Sequence, residues 1–231
     1  MERAANALEH LDQSIAASEL PRYLDDLDRL NAWFGGYALT RHEIDRAIAG
    51  VPRTRATLIV DVGGGRGDLA VRLAHSARAA RRRVRIIVAD RDTGSVALGK
   101  DAWQAYPEIV FVIADATALP FREAGADVAV MSLTLHHLEP DAAAASLGEG
   151  RRAARVGVIV NDLLRSRLSL ALVWLATRLL ARHRYSRDDG PLSVRRAYAP
   201  DELRALARRA GFRTLVIRRY PVLARLMAIG S

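Results

Sequence analysis

The stretch LIVDVGGGRGDLAVRLA, residues 58–74, joins an apolar run to an amphipathic run through four glycines within five positions. Glycine weakens both strands and helices, so this concentration predicts a backbone that turns sharply or admits something close to the chain. The apolar run predicts a buried strand, and the amphipathic run predicts a helix over 67–80. We therefore expect a strand–loop–helix unit whose loop lies against a ligand.

Strands and helices alternate from residue 57 onward. The strands are nearly continuous apolar runs, as is typical of a parallel sheet that helices cover on both faces. The alternation predicts an α/β fold with a doubly wound, mostly parallel sheet. The strands predicted in this part of the chain are TLIVDV at 57–62, VRIIVAD at 84–90, IVFVIAD at 109–115, ADVAVMS at 126–132 and RVGVIVND at 155–162, and the helices between them lie at 67–80, 93–105 and 141–153.

The carboxyl-terminal part of the chain continues this pattern. A helix at 199–211 and strands at 212–220 and 223–229 bring the expected sheet to seven strands. An inserted apolar helix at 167–182 carries Arg178 in its interior and is too short to span a membrane. We expect this helix in the core or against a pocket, with an interfacial membrane helix as the alternative.

The amino-terminal part is predicted to be helical. Two helices fall within 20–49, and Gly35-Gly36 interrupts them. We expect residues 1–52 to form a lid with a hinge at this glycine pair, and residues 53–231 to form the domain beneath it.

Composition restricts the function classes. With 231 residues, half of them hydrophobic, the chain is long enough for one domain with a sizeable core, and the lack of cysteine excludes disulfides, thiolate metal sites and cysteine nucleophiles. The net charge of +9 comes almost entirely from scattered arginines, with Lys100 the sole lysine, which disfavours a nucleic-acid partner. The first twenty residues lack the apolar core of a signal peptide, so we expect a cytoplasmic protein.

The glycine loop does not fit two common phosphate-binding patterns. A P-loop requires Lys followed by Ser or Thr, which this loop lacks. The dinucleotide fingerprint counted from Gly63 and Gly65 would require a third glycine where Asp68 stands. The pattern present is Asp61-x-Gly63-x-Gly65-x-Gly67.

This spacing resembles the first motif of class I S-adenosylmethionine-dependent methyltransferases, which have a Rossmann-like sheet. The resemblance implies S-adenosylmethionine as cofactor and S-adenosylhomocysteine as product. It implies that the loop passes beneath the methionine part of the cofactor, where side chains would block it, and that Asp61 receives the ammonium group. The loop glycines are Gly63, Gly64, Gly65 and Gly67.

Three further strand ends strengthen the resemblance. Asp90 ends the second strand, where a carboxylate can accept hydrogen bonds from both ribose hydroxyls, with Arg91 beside the adenine. Asp115 and Ala116 follow the third strand in a segment that resembles the family's adenine-edge segment. The fourth strand leads into LHHL, residues 135–138, typical of small-molecule methyltransferases, and Ser132 with Leu133 would line the sulfonium side.

A phenol or enol acceptor must lose a proton, so a general base is useful. The candidates are His136, after the fourth strand, and Asp162, at the end of the fifth. Of His136 and His137 we expect only one to face the pocket, because neighbours in a turn point apart. The expected acceptor pocket includes Trp33, Tyr37, His136 and Trp174, and no carboxylate spacing indicates a metal.

We predict a methyltransferase that acts on a small, aromatic or polyketide-like acceptor, with O-methylation favoured. The alternatives are C-methylation of a quinone or lipid precursor, a non-catalytic S-adenosylmethionine-binding protein, and an NAD-dependent oxidoreductase, which Asp68 disfavours. The pattern also allows a homodimer and peripheral membrane contact. The acceptor and the methylated atom do not follow from the sequence.

Overall fold

Seven strands form one sheet in a computed structural model that describes residues 1–5, 7–13 and 15–231. The strand order is β3-β2-β1-β4-β5-β7-β6; all neighbours are parallel except the pairs that β7 makes with β5 and β6. The predicted doubly wound sheet is confirmed. The strands are β1 Thr57–Val62, β2 Val84–Asp90, β3 Ile109–Ile113, β4 Ala126–Ser132, β5 Ala154–Leu163, β6 Leu215–Tyr220 and β7 Arg225–Gly230.

Helices cover both faces of the sheet. The strands are apolar on both sides because each face packs against a helical layer. On one face Val60 and Val62 lie in a buried cluster with Leu206, and on the other face Ile59 lies in a cluster with Leu73. The helices are α1 His10–Gln13, α2 Leu20–Trp33, α3 Gly36–Ala47, α4 Asp68–Ala79, α5 Thr93–Ala102, α6 Pro140–Ala153, α7 Arg167–Leu180, α8 Arg184–Arg196 and α9 Pro200–Arg209.

The strand order creates a crevice at the carboxyl end of β1. Its neighbours β2 and β4 lead in opposite directions across the sheet, and ligands of open α/β sheets bind outside the strands at such a reversal. The junction after β2 is held in place by Asp92, whose side chain caps α5 by accepting from the amide of Ser95 at 2.8 Å. The glycine loop and the strand-end carboxylates therefore meet at one edge.

Helix α8 is an element that the sequence patterns do not predict, because Pro191 lies in its interior. Proline lacks the amide that would bond the carbonyl of Arg187 one turn earlier. That carbonyl instead accepts from Nη1 of Arg178 at 3.0 Å. The arginine inside the apolar helix α7 thus satisfies a carbonyl that the proline leaves without a helical partner.

Helix α7 lies half at the surface. Val173 is buried, whereas Trp174, Leu175 and Leu179 are exposed. Within the described residues, no helix combines the length and the apolar character that a membrane crossing requires.

Candidate active site

A cavity of about 280 Å³ lies at the carboxyl ends of β1, β2 and β4, beneath α2. Its wall combines the glycine loop, carboxylates at strand ends, the two histidines after β4 and apolar side chains of the amino-terminal helices. Of the predicted site residues, the structure places these at the wall: Tyr37, Asp61, Gly63, Gly64, Gly65, Asp90, Arg91, Asp115, Ala116, Ser132 and His136.

The glycine loop contributes Gly63, Gly64 and Gly65 to this wall, and at Gly63 and Gly64 the fold leaves no room for a side chain. At Gly63 the φ angle is +68°, and a Cβ atom would lie 2.4 Å from Cγ2 of Thr134. Gly67 has a φ of +82°, but a Cβ atom there would meet the ring of Phe111 at 2.9 Å. The predicted cofactor contact at Gly67 is therefore corrected: this glycine allows the loop to pack against Phe111 and does not line the cavity.

Asp61 is a buried carboxylate that faces the cavity without a partner. It is 1% exposed, and neither of its oxygens has a hydrogen-bond partner among the described residues. Burial, with the charges of Asp90 and Asp68, raises its pKa to about 7. A buried ionised carboxylate without a donor is costly, so this position fits a ligand that brings a positive charge or hydrogen-bond donors.

Asp90 is held by backbone donors on both sides. One oxygen accepts from the amide of Gly65 at 2.7 Å, and the other accepts from the amide of Asp92 at 2.8 Å. Burial nevertheless raises the pKa of Asp90. Each carboxylate oxygen has two lone pairs, so capacity is left for hydroxyl donors from the cavity. Asp90 therefore connects the glycine loop to the expected ribose position.

The remaining predicted cofactor contacts lie along the same edge. Asp115 accepts from the amide and the hydroxyl of Thr117, both at 2.7 Å, and these bonds lower its pKa. The hydroxyl of Ser132 is buried without a partner among the described residues. Ser132 thus offers a second polar atom to a ligand in this cavity.

His136 and Asp162 form a buried pair. Nδ1 of His136 lies 2.6 Å from Oδ1 of Asp162, and the amide of His136 donates to the other oxygen at 3.1 Å. Burial would raise the pKa of Asp162, but the charge and hydrogen bond of His136 outweigh it and hold the pKa below its usual range. When the ring is neutral, the ionised Asp162 keeps the proton on Nδ1 and leaves Nε2 as the acceptor.

Asp162 lies behind His136 and not at the cavity wall. Both of its oxygens are occupied by His136 and by the amide of Leu163 at 2.7 Å. These contacts place Asp162 where it can hold the ring of His136, and its predicted role as a base or substrate anchor stays a prediction.

Both histidines face the cavity, so the expectation that only one does is wrong. The tight turn Leu135–His137 places the two rings 4.3 Å apart at an angle of 36°, and the amino-terminal segment packs against them. Nδ1 of His137 lies 2.9 Å from Asp12, and Glu9 lies 3.8 Å from Nε2 of His136. Burial acts to lower the pKa of His137, but Glu9 and Asp12 outweigh it and raise the pKa.

Glu9, His136 and His137 bring potential metal-ligand atoms within 4.8 Å of one another. The buried Arg196 guanidinium lies 3.6 Å from Glu9 and also pairs with Asp12. This fixed positive charge opposes a cation at the same place. A metal-free site stays the prediction.

Trp33 and Trp174 do not line the cavity, which corrects the predicted acceptor pocket. Their side chains are 55% and 49% exposed. On α2 the apolar stripe that faces the cavity includes Leu27 and Leu30, and Trp33 lies off that stripe; on α7 the buried neighbour Val173 faces inward instead of Trp174. Tyr37 lies at the wall, where its hydroxyl donates to Asp28 at 2.8 Å.

Arg225 is a cavity residue that no sequence motif indicates. It is 2% exposed, and its Nη2 donates to Oδ1 of Asn31 at 2.9 Å. Nε and Nη1 have no partner among the described residues. Burial lowers the pKa of Arg225 to about 10, which leaves the guanidinium charged at neutral pH. The one sequence signal for such a residue is a charged side chain inside an otherwise apolar strand.

Residues 59–157 match a family model described as a methyltransferase domain. No curated protein matches the chain closely enough to count as a relative. Solved structures share its fold at low sequence identity.

Three of these structures illustrate the likeness. The citrinin polyketide synthase CMeT domain is 11% identical, covers 84% of this chain and has a TM-score of 0.65. CurJ carbon methyltransferase is 15% identical, covers 95% and has a TM-score of 0.67. Human N-acetylserotonin methyltransferase in complex with SAM is 16% identical, covers 93% and has a TM-score of 0.63. This chain spans 51%, 62% and 56% of those chains, respectively.

The family match confirms the resemblance that the glycine loop and the strand ends indicated, and the structural likeness confirms the fold. Residues 59–157 thus match a methyltransferase-domain model, and the chain shares the fold of these three methyltransferase structures.

Proposed function

We propose that the protein transfers a methyl group from S-adenosylmethionine to an oxygen atom of a small aromatic or polyketide-like acceptor. One observation carries this proposal: a single cavity brings Asp61 of β1, which has no hydrogen-bond partner among the described residues, together with His136 of the His136–Asp162 pair. The first fits a cationic cofactor, and the second fits removal of a proton from an acceptor.

The residues at the glycine loop fit the cofactor. Asp61 would receive the ammonium group, and the loop at Gly63, which lies at the cavity wall, would lie against the methionine chain. Asp90 would accept from the ribose hydroxyls, and Asp115 would lie at the adenine edge. Ser132, whose hydroxyl is buried and unpartnered, would lie near the sulfur.

The bound cofactor supplies a methyl group that the sulfonium already activates. The protein has to align the acceptor, exclude water and remove a proton. Nε2 of His136 would accept the proton of the acceptor's hydroxyl group, so that the acceptor oxygen could take the methyl group and S-adenosylhomocysteine would be the second product. Asp162 would hold the ring and stabilise the imidazolium.

The same pair supports carbon methylation as a second candidate. Two of the structures with this fold are described as a CMeT domain and a carbon methyltransferase. His136 positioned by Asp162 could equally take a proton from a carbon flanked by carbonyl groups. The position of a labelled methyl group in the product separates the two reactions.

The function is tested by incubating the protein with methyl-labelled S-adenosylmethionine and a panel of phenols, hydroxyquinones and β-keto acids. We expect labelled product from members of the panel, and NMR then locates the methyl group on oxygen. Asp90→Ala is the matched control: losing charge-assisted hydrogen bonds worth about 1.5–3 kcal/mol should weaken S-adenosylhomocysteine binding roughly ten- to hundredfold. Binding without transfer to any acceptor would favour the non-catalytic alternative.

We further propose that residues 1–52 act as a lid whose moving part precedes Gly35. Helix α3 is fastened to the sheet because the side chain of Asn161 donates to the carbonyl of Gly36 at 3.1 Å and to the hydroxyl of Thr40 at 2.8 Å. Gly35, with a φ of +67°, lies at the junction before α3.

Ligand binding beneath such a lid is expected to slow cleavage of the segment before Gly35 severalfold in limited proteolysis, because the helices pack onto the bound molecule. The measurement compares the protein with and without S-adenosylhomocysteine. Cleavage in the exposed turn at 80–83 supplies the internal control, since it lies away from the cavity. Equal protection of both regions, or of neither, contradicts a lid.

A further inference from the structure

We propose that Arg225 binds an anionic group of the acceptor, so that the acceptor is a carboxylic acid with an apolar body. This inference rests on the proposed function and names the class of its substrate. The proposal rests on the buried guanidinium in the cavity wall, whose Nε and Nη1 have no partner in the described part of the chain.

The sheet places Arg225 on the side of the cavity away from the cofactor loop. The glycine loop follows β1, His136 follows the neighbouring β4, and Arg225 begins β7, two strands beyond β4. In the antiparallel pairing of β7 with β5, Arg225 lies opposite Leu163, whose side chain also lines the cavity. Across the sheet the glycine loop comes first, His136 second and Arg225 third. The acceptor would therefore lie between His136 and Arg225.

The local partners hold the guanidinium without neutralising it. Its hydrogen bond goes to the uncharged amide of Asn31, and a Cβ atom on Gly36 would lie 1.9 Å from the Asn31 oxygen and 3.2 Å from Nη2 of Arg225. The absence of a side chain at Gly36 therefore makes room for this pair. A buried cation without a bonded carboxylate is costly unless a ligand completes its hydrogen bonds.

The other charges at the cavity wall select a monoanion. Asp162 acts on Arg225 through its charge, but its oxygens are occupied by His136 and Leu163. Glu9 and Asp28 also line the cavity and would repel a dianion such as a phosphate. Of the three arginines at the wall, Arg66 is paired with Asp25 and Asp68, and Arg91 directly follows β2 on the cofactor side. Arg225 is therefore the arginine that fits a carboxylate of the acceptor.

The surroundings of Arg225 determine the rest of the ligand. Phe34, Leu163 and Val173 line the cavity and pack in one apolar cluster, and Leu163 lies opposite Arg225 in the sheet. Apolar walls with one buried cation are expected to bind a ring or acyl chain that ends in a carboxylate. A hydroxyaryl carboxylate would bring its hydroxyl toward His136 when the carboxylate meets Arg225.

The test is the preference of the wild-type protein for acids over their methyl esters. Calorimetry measures binding of salicylate, 1-hydroxy-2-naphthoate and a β-keto acid, each paired with its ester, with and without saturating S-adenosylhomocysteine. We expect at least one acid to bind about tenfold or more tightly than its ester, because the ester lacks the charge-assisted bond. No acid preference in any pair, including no binding at all, overturns the proposal.

Variants assign the preference to Arg225. Arg225→Met should abolish the preference for the acid while S-adenosylhomocysteine binding stays within about twofold, and Arg225→Lys should retain part of it. An unchanged preference in Arg225→Met overturns the assignment. If Arg225→Met does not fold, the comparison of wild type with Arg225→Lys decides. Failure of the proposed function is seen separately, as absence of S-adenosylhomocysteine binding or methyl transfer.

Discussion

Replacing His136 with glutamine is expected to lower kcat for methyl transfer by about a hundredfold to ten-thousandfold, the range that a positioned general base supplies. Glutamine keeps a polar side chain of similar size but cannot take up a proton at neutral pH. The residue lies at the cavity wall, and Asp162 directs the proton to Nδ1, so Nε2 is the acceptor. Rates are measured at saturating concentrations of cofactor and acceptor.

His137 provides the matched control because it occupies the same turn and also lines the cavity. Its Nδ1 pairs with Asp12 and it has no contact with Asp162 in the described structure. His137→Gln should therefore lower kcat much less than His136→Gln, and both variants should bind S-adenosylhomocysteine within about twofold of wild type. Equal losses in the two variants would contradict the assignment of the base.

Asp162→Asn tests the positioning role within the same experiment. An amide has the shape of the carboxylate but no charge to stabilise the imidazolium, so kcat should fall in the same direction. Because Asp162 lies outside the cavity wall, KM for the acceptor should change little. A rise in KM at constant kcat would indicate instead that Asp162 binds the acceptor directly.

The second large effect is expected at Asp61. Asp61→Asn should weaken S-adenosylhomocysteine binding roughly ten- to hundredfold, because the bond between a buried carboxylate and the ammonium group is lost. The same substitution should stabilise the ligand-free protein near pH 8, since it removes a buried carboxylate whose oxygens have no partner among the described residues. Calorimetry and chemical unfolding measure the two effects.

The pH dependence of these effects has a defined sign. The pKa of Asp61 is raised to about 7 in the folded protein from an ordinary value of 3.8. The folded state therefore holds an extra proton between about pH 4 and pH 7, and the stability that this group contributes is lost as the pH rises through 7. Asp61→Asn should lack that loss. Parallel stability curves for wild type and variant between pH 5 and pH 8 would contradict the shift.

Cofactor binding should show the opposite trend. An ammonium group binds the ionised form of Asp61, so affinity should increase with pH up to about 7, and binding below that pH should release a proton. Titrations at pH 6 in two buffers of different ionisation enthalpy detect the released proton. The Asp61→Asn variant should release about one proton less; an identical release would place the ammonium group elsewhere.

Local patterns predicted most of the sheet and brought out many of the residues that line the cavity. Strands such as β1 and β4 are apolar on both faces, and that pattern depends on the burial of each strand and needs no knowledge of its partners. Asp61, Asp90 and Asp115 were found because carboxyl ends of parallel strands converge on one edge. The glycines between Gly63 and Gly67 interrupt the apolar pattern of β1, and this interruption marked the place where backbone atoms form the cavity wall.

The acceptor side could not be predicted in the same way. Trp33 and Trp174 were expected in the pocket because their helices lie outside the core of the sheet. A helix buries only one stripe of side chains, and which stripe faces the cavity depends on how α2 and α7 pack. Helix α8 escaped prediction because the missing bond at Pro191 is replaced by Arg178, a contact between two helices.

The sequence by itself determined the α/β alternation, the glycine loop and the acidic strand ends, because each depends on neighbours within one strand–loop–helix unit. Tertiary structure alone decided which histidine pairs with Asp162, that Glu9 approaches both histidines, and that Arg225 meets Asn31 across 194 positions of the chain. These contacts join segments that are far apart in sequence. The local pattern of apolar and polar residues does not indicate which distant side chains will be buried together.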